Sequence, residues 1–555
     1  MHRSRCILSQ SDSGVAAPNN SPFVEQARSL AITVKKRMLQ YAHLGDRRVG
    51  LKRRYCVSVC ALVFAAVANP GAQAAIAPDT VWIPANNLQM RQDVEVLADT
   101  GVLHTPIDAW PLPWADVAPA LYKVDPKTLT PLQHDAWQRL ITEIPGDMSC
   151  FDTKGAVAVS VQRGRPQLNW FAPSPRGKND VEGAVSGKCA STFYALDVSH
   201  DNRPFDNGAN QNRLDGSYAG FQAGNWFLYA GEEDRWWGSS WSGTMLLDSN
   251  ARPVPALTLT RVSPVPFESP WLSWIGPWSL TTFMGELNDG RYIPHTRIWG
   301  LRISARPSAH FQISLYRTAL WGGEGQANSA SQFWRVLTGG NALDNPQDPG
   351  SVAGSQLVGV DVRWHWMAGA QPWAVYVNGG FRDETHHIPK KFFPLFGVET
   401  SWPGTDGTSK RLFIEYSDTT AGWPFTNGIP INDTYENPGQ YKSGYRYYGQ
   451  TIGYPTDNDS RVLTVGLIRV SADDETLSLL MRAGVLNWDG TNQPPPGGNP
   501  LAPERITLVS ADVQWALSLG PGTLTADVGA AAEHPSGQAH QYPLQAWLSY
   551  QVGLP

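Results

Sequence analysis

One stretch of this sequence combines adjacent carboxylates with aromatic rings and could take part in catalysis or ligand binding. The run reads Glu232-Glu233-Asp234-Arg235-Trp236-Trp237-Gly238. Glycoside hydrolysis needs two carboxyl groups that flank one bond. Neighbouring residues of an extended chain point to opposite faces, so adjacent carboxylates are poorly placed for that work. The run therefore favours a charged loop, and a surface polysaccharide-degrading glycosidase remains an alternative.

Other catalytic patterns give weaker signals. His386-His387 could suggest a metal site, but no third ligand follows at a convincing spacing. The sequence has no Gly-x-Ser-x-Gly elbow and no phosphate-binding loop. We therefore predict no catalytic residues, no metal and no cofactor.

The N-terminal region carries an export signal. A basic stretch (Arg47, Arg48, Lys52, Arg53 and Arg54) precedes an apolar run of 12 residues, Val57 to Ala68, which is too short to span a membrane. Ala72-Gln73-Ala74 then forms a small-x-small cleavage site. We predict that residues 1–74 are an extension and signal peptide, cleaved near Ala74/Ala75.

Cleavage changes both the charge and the cysteine content. The remaining chain has 33 basic and 46 acidic residues, a formal charge of −13, which disfavours nucleic acid as a partner. Only Cys150 and Cys189 remain. In an oxidising periplasm an even pair predicts one disulfide, and two free thiols are the alternative.

Residues 75–150 read as a helical periplasmic bundle. Met90, Val94 and Leu97 recur at helical spacing, and Gly101 follows where a helix would end. Thr130-Pro131-Leu132-Gln133 has the pattern of a capping box with proline in the first turn. The region is too small for a robust core of its own, so we expect it to dock on the next one.

From about Gly155 the apolar period changes from 3.6 to 2, which indicates strands. Val358, Val360, Val362, Trp364 and Trp366 alternate with polar or small residues, and residues 512–530 and Leu544 to Val552 repeat the pattern. One face is apolar, whereas the other carries charges at mid-strand, which suits a wet lumen. We predict an all-β transmembrane barrel of about 18 antiparallel strands over residues 151–555. A soluble sandwich would show the same alternation in shorter strands.

Long polar connections interrupt the strands, among them Gln326 to Ser355 and Ala421 to Arg446. Connections of this length are usually functional or mobile.

The chain also has 23 Trp residues. Membrane-barrel girdles and sugar-stacking surfaces are two usual places for so much tryptophan.

The acidic and aromatic run is the first part of a larger pattern. Its Trp-Trp-Gly box is followed by a second box, Ser249-Asn250-Ala251-Arg252-Pro253. Other distinctive stretches are Trp321-Gly322-Gly323-Glu324-Gly325, Tyr445-Arg446-Tyr447-Tyr448-Gly449, Leu97 to Leu103 and Trp110-Pro111-Leu112-Pro113. Together these motifs resemble the Wzi family of outer-membrane capsule-assembly proteins, although the second box lacks the second Asn of the family's box.

The resemblance implies an 18-stranded outer-membrane barrel with a small helical bundle at its periplasmic mouth. It implies a lectin-like protein that attaches capsular or extracellular polysaccharide to the cell surface without catalysis. The partners would be this polysaccharide and outer-membrane lipid and lipopolysaccharide, with the protein a monomer. A diffusion porin is the alternative, and a plugged lumen would distinguish the two.

We take the two boxes as the candidate polysaccharide-binding site. Trp236 and Trp237 could stack on sugar rings, and charged side chains could bind hydroxyls or uronic carboxylates (Asp234, Arg235, Arg252 and Arg261). In the alternative interpretation the two rings are girdle residues and the charges pair inside the lumen. Arg252-Pro253 could also simply shape a periplasmic turn.

Overall fold

The structure is a computed structural model that describes residues 81–146, 150, 152–164, 168–206, 208–338, 354–385, 388–404, 407–422, 434–436, 440–490 and 499–554. The cleavage site and His386-His387 lie outside the described residues. Within these ranges, no helix is long and apolar enough to cross a membrane.

Over residues 81–146, the N-terminal region has three α-helices, α1 (Leu88–Asp99), α2 (Trp114–Lys123) and α3 (Pro131–Glu143), with a short 3-10 helix (Pro126–Thr128) before α3. The Asn87 side chain caps α1 by accepting from the Met90 amide, and Gly101 follows the helix with φ +82°. Thr130 and Gln133 form the capping box of α3 in both directions. The sequence predictions for α1 and α3 are confirmed, whereas α2 was not predicted individually.

Eighteen antiparallel strands, counted over the described residues, close into one barrel. The fourth strand is interrupted, and both of its parts pair with β3. The last strand pairs with the first to close the barrel. In chain order the strands are β1 (Thr153–Arg163), β2 (Asn179–Cys189), β3 (Thr192–Asp201), β4 (Asn212–Arg213 and Tyr218–Ala223), β5 (Trp226–Gly231), β6 (Ala256–Arg261), β7 (Trp278–Leu287), β8 (Thr296–Ser308), β9 (Phe311–Trp321), β10 (Gly354–Ala368), β11 (Gln371–Thr385), β12 (Ile388–Pro403), β13 (Ser409–Asp418), β14 (Arg461–Val470), β15 (Thr476–Leu486), β16 (Ile506–Leu519), β17 (Gly522–Pro535) and β18 (Leu544–Leu554).

The strands place apolar side chains outside and polar side chains inside. On β8, Ile303 is exposed on the outer surface, whereas Arg302 and Ser304 are buried in the lumen. Trp364 of β10 is likewise exposed, and its neighbour Arg363 is buried. A soluble sandwich would bury its apolar face instead, so the barrel prediction is confirmed and the sandwich alternative is wrong.

The two ends of the barrel differ in their connections. At one end, which we call the short-turn end, strands are joined by tight turns such as residues 190–191, 309–310, 369–370 and 520–521. At the other end, the long-loop end, the connections include residues 232–255, 322–353 and 419–460. One of these carries a fourth helix, α4 (Ala330–Thr338).

Protein segments fill the lumen over the described part of the chain. One continuous core joins Leu97 of α1 and Leu140 of α3 to Trp236 and Trp241 of the β5–β6 connection, and to Tyr435 of the β13–β14 connection. Nearly all residues of α1 are buried, including the charged ones. Its charged side chains can be buried because the surrounding barrel wall is itself polar. The helical region was expected to dock on the barrel; its helix α1 lies inside it.

Candidate functional site

The β5–β6 connection, residues 232–255, turns into the lumen directly after Gly231. Trp236–Trp237 forms a two-residue strand that pairs with Ala109–Trp110 of the N-terminal region. The Trp236 indole donates to the Ser240 carbonyl at 3.0 Å, and its ring meets Phe171 edge-on at 5.1 Å. Trp236 and Trp237 are 1% and 2% exposed. In this arrangement neither ring presents a face to an external sugar.

Gly238 ends the Trp-Trp-Gly box at a point of close packing. A Cβ at this position would lie 2.6 Å from Asn378 Nδ2 of β11. That amide also donates to Tyr316 Oη and Asp361 Oδ2. Only glycine lets the connection approach the wall this closely.

Arg235 is also buried. Its guanidinium donates to Thr258 Oγ1 of β6 at 3.0 Å and lies over the Phe283 ring at 4.7 Å. The neighbouring Glu233 accepts a hydrogen bond from Tyr229 Oη at 2.5 Å. These two residues therefore fasten the start of the connection to the barrel wall.

At the long-loop end, Asp234 and Arg252 share a network of charged side chains with Arg176 and Asp215, and Arg213 also contacts Asp215 at 3.7 Å. Arg252 binds Asp215 through two nitrogens, with Nη2–Oδ1 at 2.7 Å. Arg176 contacts Asp215 at 3.8 Å and Asp234 at 3.3 Å. The Asp234 side chain is 32% exposed, the most open of these side chains. Of the six candidate residues, Asp234 and Arg252 are thus brought together, and Arg176 and Asp215 link them.

Arg176 and Asp215 were missed by sequence reasoning. Arg176 lies in the β1–β2 connection and Asp215 in the break of β4. Neither belongs to a recognisable motif, and no spacing along the chain links them to the two boxes. Only the closure of the barrel brings the three connections together.

Arg261 lies away from the other candidates. It ends β6 at the short-turn end and faces the outside of the barrel. Its guanidinium donates to the Trp278 and Val265 carbonyls at 2.6 and 2.9 Å and lies over the Trp278 ring at 3.8 Å. These contacts hold the β6–β7 connection in place.

The family model for capsule assembly protein Wzi matches residues 136–534. This span holds both boxes and most of the barrel. The chain belongs to the Wzi family.

Two individual comparisons accompany this match. A Klebsiella pneumoniae protein, described as an uncharacterized 55.8 kDa protein in the cps region, is 26% identical over 342 residues. That alignment covers 60% of this chain and 64% of the relative, so the match spans less than two thirds of the relative. The solved structure of Escherichia coli Wzi has a TM-score of 0.72 at 20% identity, covering 84% of this chain and 98% of that one. That protein is described as a carbohydrate-binding outer-membrane β-barrel involved in group 1 capsule assembly.

Buried ion pairs join the N-terminal region of this Wzi-family chain to the barrel wall. Asp108 pairs with Arg302 of β8 at 2.5 Å, and Asp99 pairs with Arg363 of β10 at 2.7 Å. Arg411 of β13 contacts Glu95 of α1 at 3.1 Å. Because these charges are buried, separating the helices from the wall would leave them unpaired at a high cost.

The β13–β14 connection closes the lumen at the long-loop end. Arg446 pairs with Glu436 at 2.5 Å and with Asp457 at 2.6 Å. Burial raises the pKa of Glu436 to about 7, although Arg446 opposes this shift. In the β5–β6 connection, burial raises the pKa of Asp248 well above its usual range, against hydrogen bonds from the Asn250 and Thr244 amides.

Cys150 and Cys189 are joined by a disulfide in the structure. It ties the segment before β1 to the end of β2, next to the short turn at residues 190–191. Within the described ranges, no group of three or more His, Cys, Asp or Glu side chains could hold a metal ion.

Proposed function

We propose that this protein is an outer-membrane barrel that attaches capsular or extracellular polysaccharide to the cell surface without cleaving it. Membership of the Wzi family and the likeness to the carbohydrate-binding barrel of Escherichia coli support this function. The apolar outer face of the barrel would contact lipid and lipopolysaccharide, with the protein as a monomer. The short-turn end would face the periplasm, as is usual for outer-membrane barrels.

The observation that carries the proposal is the filled lumen. A diffusion porin has the same barrel but keeps a water-filled path through it. Here α1, the β5–β6 connection and the β13–β14 connection share one buried core inside the barrel. The long-loop end therefore serves better as a surface to bind a polymer than as the mouth of a pore.

The charged network at the long-loop end is our candidate contact for the polymer. Arg176 and Arg252 carry guanidinium groups that can bind sugar hydroxyls or uronic carboxylates. Asp234 adds a partly exposed acceptor for hydroxyl groups. Arg235, Trp236 and Trp237 would instead fix the connection that carries Asp234 and Arg252. Arg261 would play no part in binding.

Binding without cleavage also fits the state of the carboxylates. Asp234 is paired with Arg176, and Glu233 accepts from Tyr229. A general acid needs a carboxyl group that can hold and donate a proton at the scissile bond. Glu233 is also buried, so it is not placed to flank one bond together with the partly exposed Asp234.

The test compares cell-bound and released polysaccharide in Arg252→Gln and Asp234→Asn cells. We expect more polymer in the medium for both variants, with unchanged heat-modifiable migration of the barrel. Lys188→Gln, at the opposite end next to a short turn, is the charge-matched control for Arg252→Gln and should retain the polymer. Normal retention in both variants would exclude this network as the site. Shortened chains after incubation with the purified protein would favour the glycosidase.

A further inference from the structure

The β6–β7 connection, residues 262–277, is unusually long for the short-turn end. It includes a short 3-10 helix, Ser273–Ile275. Its tip carries Trp271 and Trp274, which are 86% and 68% exposed, with exposed Leu272 between them. Large apolar side chains grouped at such exposure mark a contact surface on a soluble or membrane protein.

The connection is held in a fixed shape. Asn225 of the preceding turn binds the Ser263 amide and carbonyl at 2.8 and 2.9 Å. The Leu272 and Ser273 amides both donate to the Ser269 carbonyl. Gly276, with φ +69°, leaves no room for a side chain, since a Cβ would lie 2.2 Å from the Arg306 carbonyl oxygen. The two tryptophans are therefore presented by an ordered loop.

The loop lies against the outer face of the barrel. Trp278 pairs with Ala305 and shares its face of the sheet with Leu280 and the exposed Ile303. The Phe267 ring stacks on this outward Trp278 at 4.6 Å with an interplanar angle of 11°. The guanidinium of Arg261, on the same face of β6, also lies over the Trp278 ring at 3.8 Å.

The same level of the barrel carries other exposed aromatic residues on its outer surface. Trp364 and Trp366 lie shortly before the turn at residues 369–370, and Trp515 lies shortly before the turn at residues 520–521. Such residues form the aromatic girdle where a barrel meets the lipid headgroups. The tip of the β6–β7 connection extends this girdle away from the wall.

We propose that Trp271, Leu272 and Trp274 insert into the headgroup and upper acyl region of the phospholipid leaflet at the short-turn end. The indole rings would lie against acyl chains while their N–H groups bind headgroup oxygens, as tryptophan does at membrane interfaces. Insertion covers apolar surface that water would otherwise contact. This anchor rests on the proposed membrane location but not on polysaccharide binding.

The test uses the mature protein, from which cleavage near Ala75 has removed Cys6, Cys56 and Cys60. A nitroxide label is placed at the tip, and the protein is studied in phosphatidylcholine vesicles. Trp271→Cys and Trp274→Cys each supply one reactive thiol, since Cys150 and Cys189 are joined. Collision of the label with oxygen, which concentrates in lipid, is compared with collision with a water-soluble nickel chelate. Val528→Cys, at a 62% exposed site on the outer face of β17, is the lipid reference. Asn210→Cys, at an exposed site in the β3–β4 connection of the long-loop end, is the water reference.

We expect both tip labels to favour oxygen several-fold over the nickel chelate, at a shallower depth than the label at position 528. Accessibility equal to that at position 210 would overturn the proposal. Low collision with both reagents would also overturn it, because it would show that a second copy of the chain covers the tip. A water-like label at position 528 would instead show that the barrel itself is outside the bilayer, which would contradict the proposed location.

Discussion

Trp110 and Trp236 lie opposite each other in a two-stranded antiparallel sheet inside the lumen. The first belongs to the N-terminal region and the second to the β5–β6 connection, so the pairing joins the two segments that fill the barrel. Both side chains are buried. The Trp-Trp-Gly box thus lies at the centre of the plug, which changes what its substitution should do.

Replacing Trp236 and Trp237 by alanine should destabilise the plug rather than remove a surface contact. Loss of a buried tryptophan costs about 3–5 kcal/mol. We expect the urea midpoint of the refolded barrel in vesicles to fall clearly. Trp334→Ala, at an exposed site, is the matched control and should change the midpoint little. Released polysaccharide from a double variant of unchanged stability would show that these rings contact the polymer after all.

Breaking the pair between Asp108 and Arg302 should loosen the N-terminal region. Both side chains are almost completely buried, so removing one partner leaves an unpaired charge at a cost of about 3–5 kcal/mol. For Asp108→Asn we expect faster hydrogen exchange over residues 81–146. Glu286→Gln, in the exposed pair with His295, is the control and should leave exchange unchanged.

The double variant Asp108→Leu/Arg302→Met tests whether the two charges act as a pair. Because it buries no unpaired charge, its loss of stability should be smaller than the sum of the single losses. Additive losses would show that each residue contributes through other contacts.

The intact protein should conduct poorly in planar bilayers. The core that fills the lumen leaves little room for a water-filled path through the described part of the barrel. We expect no stable channel steps under conditions in which a purified porin gives them. Steady conductance of the folded, wild-type protein would favour the porin function.

The disulfide should be present in protein isolated from the outer membrane. Mass mapping of non-reduced peptides should find Cys150 linked to Cys189. Their separation of 39 residues predicts a stabilisation of about 4 kcal/mol from the lost freedom of the unfolded chain. A Cys150→Ala/Cys189→Ala variant should therefore unfold at lower urea. Two free thiols in the native protein would refute the link.

The mature protein should begin near Ala75 and fractionate with the outer membrane. The basic stretch, the apolar run and the small-x-small site support this cleavage. N-terminal sequencing of the membrane fraction measures the start directly. Recovery of the uncleaved chain in the cytosol would contradict both export and the proposed function.

Local patterns in the sequence predict much of the fold. Alternation over residues such as Val358 to Trp366 predicts both the strand and its outward face, since side chains on a strand alternate between the two surfaces. Thr130 and Gln133 predict the start of α3, because a capping box involves only four consecutive residues. The prediction of about 18 strands follows from the repetition of such local signals and the even number usual for these barrels.

The tertiary structure decided which residues share a site. Arg176, Asp215 and Asp234 come from three connections, and no local rule sets the distance between side chains that meet only when the barrel closes. Arg261 follows the same box as Arg252 in sequence, yet β6 carries it towards the opposite end. The tryptophan content of the chain does not distinguish the buried Trp236 from a girdle residue or a sugar-stacking residue. The burial of Trp236 depends on the inward turn of the whole connection, which long-range packing against Trp110 and Phe171 stabilises.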